Sequence, residues 1–149
     1  MNSMHRLAAR SACALILGCA SESIPGPPQG LPYSAAFRAC GPADGPAVTI
    51  ILGSGPIEPS NPSTPHVRIT ISQSLDQLPK HSWTVNNEAG AWYVSASNEF
   101  ELAASGSVTV RAVGPDSSVL GSALLTFPTR GRISAGFTAQ WIHAPVLCG

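Results

Sequence analysis

Residues 107–142 read SVTVRAVGPDSSVLGSALLTFPTRGRISAGFTAQWI, and this stretch decides the fold class. Val108, Val110 and Ala112 alternate with polar residues, the period-two pattern of a strand with one buried face. Gly114-Pro115-Asp116-Ser117 interrupts it with turn chemistry, a second apolar run covers 118–127, and Pro128-Thr129-Arg130-Gly131 forms the next turn. A third run, 132–142, places Ile133, Ala135, Phe137, Ala139 and Trp141 on one face.

Working back from there, the same signals recur. Residues 47–52 are β-branched and continuous enough to be buried, and 66–72 alternate with Val67, Ile69 and Ile71 inward. Residues 82–85 and 91–97 follow, the second with Trp92, Val94 and Ala96 on one face. Residues 74–78 suggest one short helix, with Ser74 and Gln77 at capping-box spacing and Pro79 as its stop. Gly90, Gly106, Gly121 and Gly136 recur at spacings of 15–16, which fits strand-plus-turn units rather than a solenoid, because the period does not extend upstream. The expected fold is all-β: an antiparallel β-sandwich or barrel of about seven strands, immunoglobulin-like or meander in topology.

Composition agrees. Charged residues make up 11% of the 149, far below the roughly 25% of ordinary soluble domains, and Gly and Pro number 14 each. Eight basic residues balance eight acidic ones, so the electrostatic footprint of a nucleic-acid binder is missing.

The N-terminus carries a different message. Arg6 and Arg10 precede a short uncharged apolar run, 12–17, which is too short to span a bilayer and long enough for a secretory signal. Ile16-Leu17-Gly18-Cys19 then resembles the lipobox of bacterial lipoproteins. That resemblance implies cleavage after Gly18, acylation of the Cys19 thiol, and anchoring in the cell envelope, at the outer membrane if the cell is Gram-negative. The partner it implies is the lipid bilayer, with the domain periplasmic or surface-exposed. An ordinary secretory signal cut near the same point is the competing reading. Cleavage would remove Arg6 and Arg10 and leave 6 basic residues against 8 acidic, a mildly acidic exported domain. The closing stretch 136–141, with Cys148 after it, also resembles the last strand of small bacterial lipoproteins, a likeness that implies no activity.

Export sets the cysteine arithmetic. Cys13 leaves with the signal and Cys19 takes the lipid, so Cys40 and Cys148 remain, with a structural disulfide as the default in an oxidising compartment. A metal pair or a catalytic thiol would need a partner motif, and neither a CxxC nor a nearby histidine other than His143 supplies one. The expected organisation is a signal over 1–18, a Pro/Gly-rich tether over 19–39, and a disulfide-closed β-domain over 40–149.

Chemistry-bearing motifs are sparse. The sequence has no G-x-S-x-G elbow, no H-E-x-x-H helix and no phosphate-binding glycine loop. His66 is expected to begin a strand, His81 to sit in a loop and His143 to follow the last strand, which does not make a triad. Asn86-Asn87-Glu88 and Asn98-Glu99-Phe100-Glu101 offer oxygen ligands, but a Ca²⁺ site needs about 6–8 converging oxygens. No cofactor, metal or catalytic residue is therefore expected. Alternation leaves Tyr93 as the one outward aromatic, the candidate contact for a sugar or other small ligand. Prolines 56, 59, 62 and 65 favour a stiff polyproline-like loop between strands over a PxxP recognition ligand. The expected role is a non-enzymatic envelope module contacting proteins or glycans, with a small-ligand or carbohydrate-binding domain as the alternative.

Overall fold

The computed structural model describes Gly26 and residues 29–146. The signal segment 1–18, the acylation candidate Cys19 and Cys148 lie outside the described residues. Among the described residues, nine strands form one sheet: β1 (Tyr33–Cys40), β2 (Pro46–Gly53), β3 (His66–Ile71), β4 (His81–Thr84), β5 (Ala89–Val94), β6 (Phe100–Leu102), β7 (Ser105–Val113), β8 (Val119–Phe127) and β9 (Gly131–Trp141). The all-β expectation holds. The count and topology are corrected: the sheet is a single curled half-barrel of mixed strands rather than an antiparallel sandwich or barrel of about seven.

Its order is β4-β7-β8-β9-β1-β2-β3-β5-β6. Two antiparallel runs, β1-β2-β3-β5-β6 and β4-β7-β8-β9, meet where β1 lies parallel to β9, with Ala35 opposite Gln140 and Ala36 opposite Trp141. The Ser34 hydroxyl donates to the Thr138 carbonyl and the Ile142 N–H donates to the Ala36 carbonyl, which tightens this seam. That parallel pair departs from both the immunoglobulin-like and the simple meander expectation. The curl brings the sheet's two ends together: the Asn86 amide donates to the carbonyls of Ala103 and Ala104, tying the β4–β5 turn to the β6–β7 connection.

β1 is the largest correction to the expected boundaries. Residues 33–39 were expected to close a tether, yet Tyr33–Cys40 is an eight-residue strand in the middle of the sheet, and Leu31 ahead of it is already buried. Even Gly26 is docked, its carbonyl accepting the Gly136 N–H at 2.9 Å. Small side chains explain why the strand is easily overlooked. Ala35 and Ala36 let β1 fit between β2 and β9 without the bulky β-branched signature that marks an interior strand.

The concave face carries the main core. Val48, Ile50, Leu52, Val67, Ile69 and Ile71 meet Val108, Val110, Leu125 and Phe127 across the interior. Leu78, directly after a 3-10 turn over Leu75–Gln77, is fully buried in the same core. The expected capping box is not made, because the Ser74 side chain makes no cap hydrogen bond and bonds instead to the Asp76 carboxylate.

The convex face of β1, β2, β3 and β5 is buried too. Ala35, Phe37, Thr49, Ile51, His66 and Val94 all lie there and all are covered. The proline-rich loop between β2 and β3 folds back across part of this face. Ser54 N–H donates to the Pro65 carbonyl, and the Ile57 side chain closes on Gly53, where an added Cβ would lie 3.3 Å from it. Residues 142–146 run alongside. A sheet covered on both sides explains why β2 reads as an unbroken apolar run rather than an alternating one.

Two face assignments change for physical reasons. In β5 the inward residues are Ala89, Ala91 and Tyr93, not Trp92, Val94 and Ala96. Both parities carry apolar side chains because both faces are covered. In β7 the register slips between Val110 and Ala112, so Arg111 is an extra residue. That bulge turns Ala112 to solvent and Val113 toward the core.

Candidate functional site

The widest cavity among those described, about 660 Å³, opens on the convex face. Cross-strand register builds it. Arg68 of β3 stands opposite Ile51 of β2 and Trp92 of β5, while Phe37 comes from β1 on the same face. The Arg68 guanidinium lies over both rings, 5.9 Å from the Phe37 centroid and 5.5 Å from that of Trp92. Such contacts contribute roughly 0.5–2 kcal/mol each, more when water is excluded. The Pro59-Ser60 step of the loop and residues 142–146 complete the wall.

Arg68 is electrostatically unfinished. Its Nε is buried and has no hydrogen-bond partner. Burial also lowers the guanidinium's pKa from its ordinary value. None of the described lining residues is acidic, whereas Arg38 and His143 add two further nitrogen groups at the rim. The arrangement is a half-buried cation in a largely apolar recess.

A second cavity of about 380 Å³ sits on the other side of the C-terminal segment and is lined in part by Ser74, Asp76 and His143. These are the residue types of a hydrolytic triad, but their bonding is wrong for one. The Asp76 carboxylate accepts from Ser74, and the His143 ring packs edge-on against Trp141 at 6.5 Å. A base must engage the nucleophile and be oriented by the acid. His81, expected in a loop, begins β4 and stacks on Trp83 at 5.0 Å.

Tyr93 is not on the outer face. It is 7% exposed, meets Phe127 edge-on at 6.3 Å and carries the Arg130 guanidinium 3.7 Å above its ring. It borders a cavity of about 330 Å³ with Leu31 and Arg132. A sugar stacking on Tyr93 would first have to displace Arg130, so the expected stacking platform is corrected. Trp92, the ring that does face outward, is engaged by Arg68.

The two acidic turns are committed to local structure. Glu88 accepts the Thr84 N–H, Glu99 accepts from Ser97, and Glu101 accepts from the Thr129 hydroxyl and from the Thr129 and Arg130 N–H groups, bonds that hold the Glu101 carboxyl below its ordinary pKa, the Thr129 hydroxyl most of all. Among the described residues, no three His, Cys, Asp or Glu side chains come together as a metal-binding group.

His66 sets a pH dependence. Its burial lowers the imidazole pKa, opposed by a contact between Nδ1 and the Ser63 carbonyl at 3.2 Å and reinforced by Arg68. A histidine whose folded-state pKa is depressed contributes stability that is present above its unfolded value, about 6.5, and is lost as pH falls through the folded pKa. The urea midpoint is therefore expected to fall as pH drops below about 6.5, and to fall less in His66→Gln. Parallel curves for the two proteins would show that His66 does not carry it.

The site missed by sequence reasoning is Arg68. Its signal was present: a lone arginine within the alternating run 66–72, at a position whose neighbours in register are apolar. The fold and recess together define a small curled-sheet β-domain with a cationic, aromatic-walled pocket. Compared with known proteins, the chain matches no family, no curated protein and no solved structure.

Proposed function

We propose that this chain is a lipid-anchored bacterial envelope protein whose β-domain acts without catalysis, as an interaction module. The observation that carries the interaction role is the pair Phe100 and Leu102. These are 74% and 71% exposed and sit on one face of the edge strand β6. Large apolar side chains paired on a sheet edge suit contact with another protein. The anchor rests on the lipobox residues Ile16-Leu17-Gly18-Cys19, which precede the first docked residue by a short interval. The seven residue-to-residue steps from Cys19 to Gly26 span at most about 25 Å when extended, so acylation would hold the domain close to the bilayer surface. Confinement of that kind raises the effective concentration for a membrane-bound partner without any new contact.

The test has two arms. Cells expressing the full chain should incorporate labelled palmitate, and Cys19→Ser should lose both the label and envelope fractionation. A photo-crosslinker at position 100 should give a discrete adduct that the same group at exposed Glu58 does not. Label-free wild type would end the anchor reading, and equal crosslinking at the two positions would end the edge-strand reading. A small-ligand-binding domain is the second reading, favoured by the cavity beside Arg68.

A further inference from the structure

The convex cavity holds a strong cation, Arg68, for which the described lining residues offer no carboxylate partner. An arginine whose Nε is buried without a partner, and whose cavity contains no carboxylate among its described lining, costs stability in an unliganded domain. The two rings offset part of that cost, but they cannot accept the guanidinium's in-plane N–H bonds. They also restrict where the guanidinium can sit, and its planar fork suits a planar, two-oxygen partner.

Apart from Arg38, Ser60 and His143, the rest of the wall is mainly apolar, with Phe37, Pro59, Ile142, Pro145 and Val146 among it. A phosphate or sulfate, hydrated on every side, would leave oxygens facing such a wall unsatisfied. A carboxylate attached to an apolar body would not. The volume, about 660 Å³, is in the range of small-molecule sites.

We infer that the cavity over Arg68 is a binding site for an organic monocarboxylate with an apolar body, the carboxylate pairing with the guanidinium and the body filling the Pro59–Val146 recess. The inference deepens the second reading above and does not depend on the Cys19 anchor. Two sources share this chemistry: a free aliphatic acid, and the C-terminal carboxylate of an apolar peptide.

Calorimetric titration of the full chain tests it with hexanoate, hexanol, inorganic phosphate, and N-acetyl-leucyl-leucine beside its C-terminal amide. Hexanoate, the peptide acid, or both should bind saturably, each at least about ten-fold tighter than its uncharged match, the scale of one charge-assisted pair. The tighter of the two acids identifies the source. Arg68→Met should weaken acid binding by about ten-fold or more. The same variant should keep or raise the melting temperature, a result that a purely structural arginine would not give. Arg68→Lys, which keeps charge but loses the fork, should fall between. Hexanol binding as tightly as hexanoate, phosphate binding as tightly as either acid, unchanged binding by Arg68→Met, or no saturable binding of either acid would overturn the proposal. Binding unaffected by Cys19→Ser separates this outcome from failure of the anchor.

Discussion

Gly121→Ala is expected to destabilise the domain by about 3 kcal/mol, at the upper end of what overpacking a core costs, and to lower the melting temperature by roughly 10 °C. Gly121 faces inward from β8, opposite Val110 on β7 and Phe137 on β9. A methyl built there would overlap the Thr109 carbonyl oxygen and lie 2.8 Å from the Phe137 ring. The ring can turn; the carbonyl belongs to a strand held on both sides, by β4 and by β8. The carbonyl cannot move far, because the neighbouring bulge at Arg111 already sets how β7 crosses β8. The comparison that makes the prediction sharp is Gly90→Ala. Gly90 belongs to the same 15–16-residue series, yet its nearest neighbour for a new methyl is the Trp92 ring at 3.7 Å, an ordinary contact. Its cost should stay within about 0.5 kcal/mol. Chemical denaturation of the two variants decides the matter, and equal losses would count against the packing argument. Adding Phe137→Leu to Gly121→Ala should recover part of the loss but not the share owed to Thr109.

The same pair of glycines shows what the sequence could and could not disclose. A spacing of 15–16 residues is legible, and its strand-plus-turn reading matches the local run β7-β8-β9. The reason for each glycine is not legible, because it depends on which residues stand opposite. Gly106 has a φ of +150° and would drive a Cβ into the Leu124 backbone, Gly121 is hemmed by Thr109 and Phe137, and Gly90 is barely constrained. Alternation marked the inward faces of β3 and β9 correctly, since only one parity there is apolar throughout. It failed in β5, where Tyr93 and Trp92 compete for the interior and only burial of the convex face explains how both are covered. It failed again after Arg111, since a bulge is one residue of register and leaves no mark on composition.

Arg68 illustrates the deeper limit. Its partners Phe37 and Trp92 lie 31 residues before it and 24 after it in the chain, and they meet only because β1 is an interior strand. A reading that gives residues 19–39 to a tether removes Phe37 from the domain, and the site with it. The proline-rich loop was legible as stiff, but not as a cover for the convex face. Local pattern gives strands and turns; the site comes from long-range pairing.

That pairing also bears on the cysteines, and Cys40→Ser is expected to lower stability by about 4–5 kcal/mol if Cys40 and Cys148 are joined, since the closed loop is long. Their separation of 108 residues encloses eight of the nine strands and the end of β1. Placement supports the pairing as a proposal. Cys40 ends β1 beside the convex cavity, and Ala144, Pro145 and Val146, the residues leading toward Cys148, line that same cavity. The cross-link would therefore hold the C-terminal segment against the sheet beside this cavity. Loss of the bond should release that segment and open the recess over Arg68, so acid binding should weaken together with stability. Cys148→Ser should match Cys40→Ser in both respects, and the double variant should cost no more than either single one. Reductant should lower the wild-type melting temperature to the level of the variants and leave theirs unchanged. Thiol titration of the denatured, unreduced mature domain should find neither cysteine free. Two reactive thiols, or an additive double variant, would remove the cross-link and leave the C-terminal segment held by its Ile142–Ala36 hydrogen bond and side-chain packing alone.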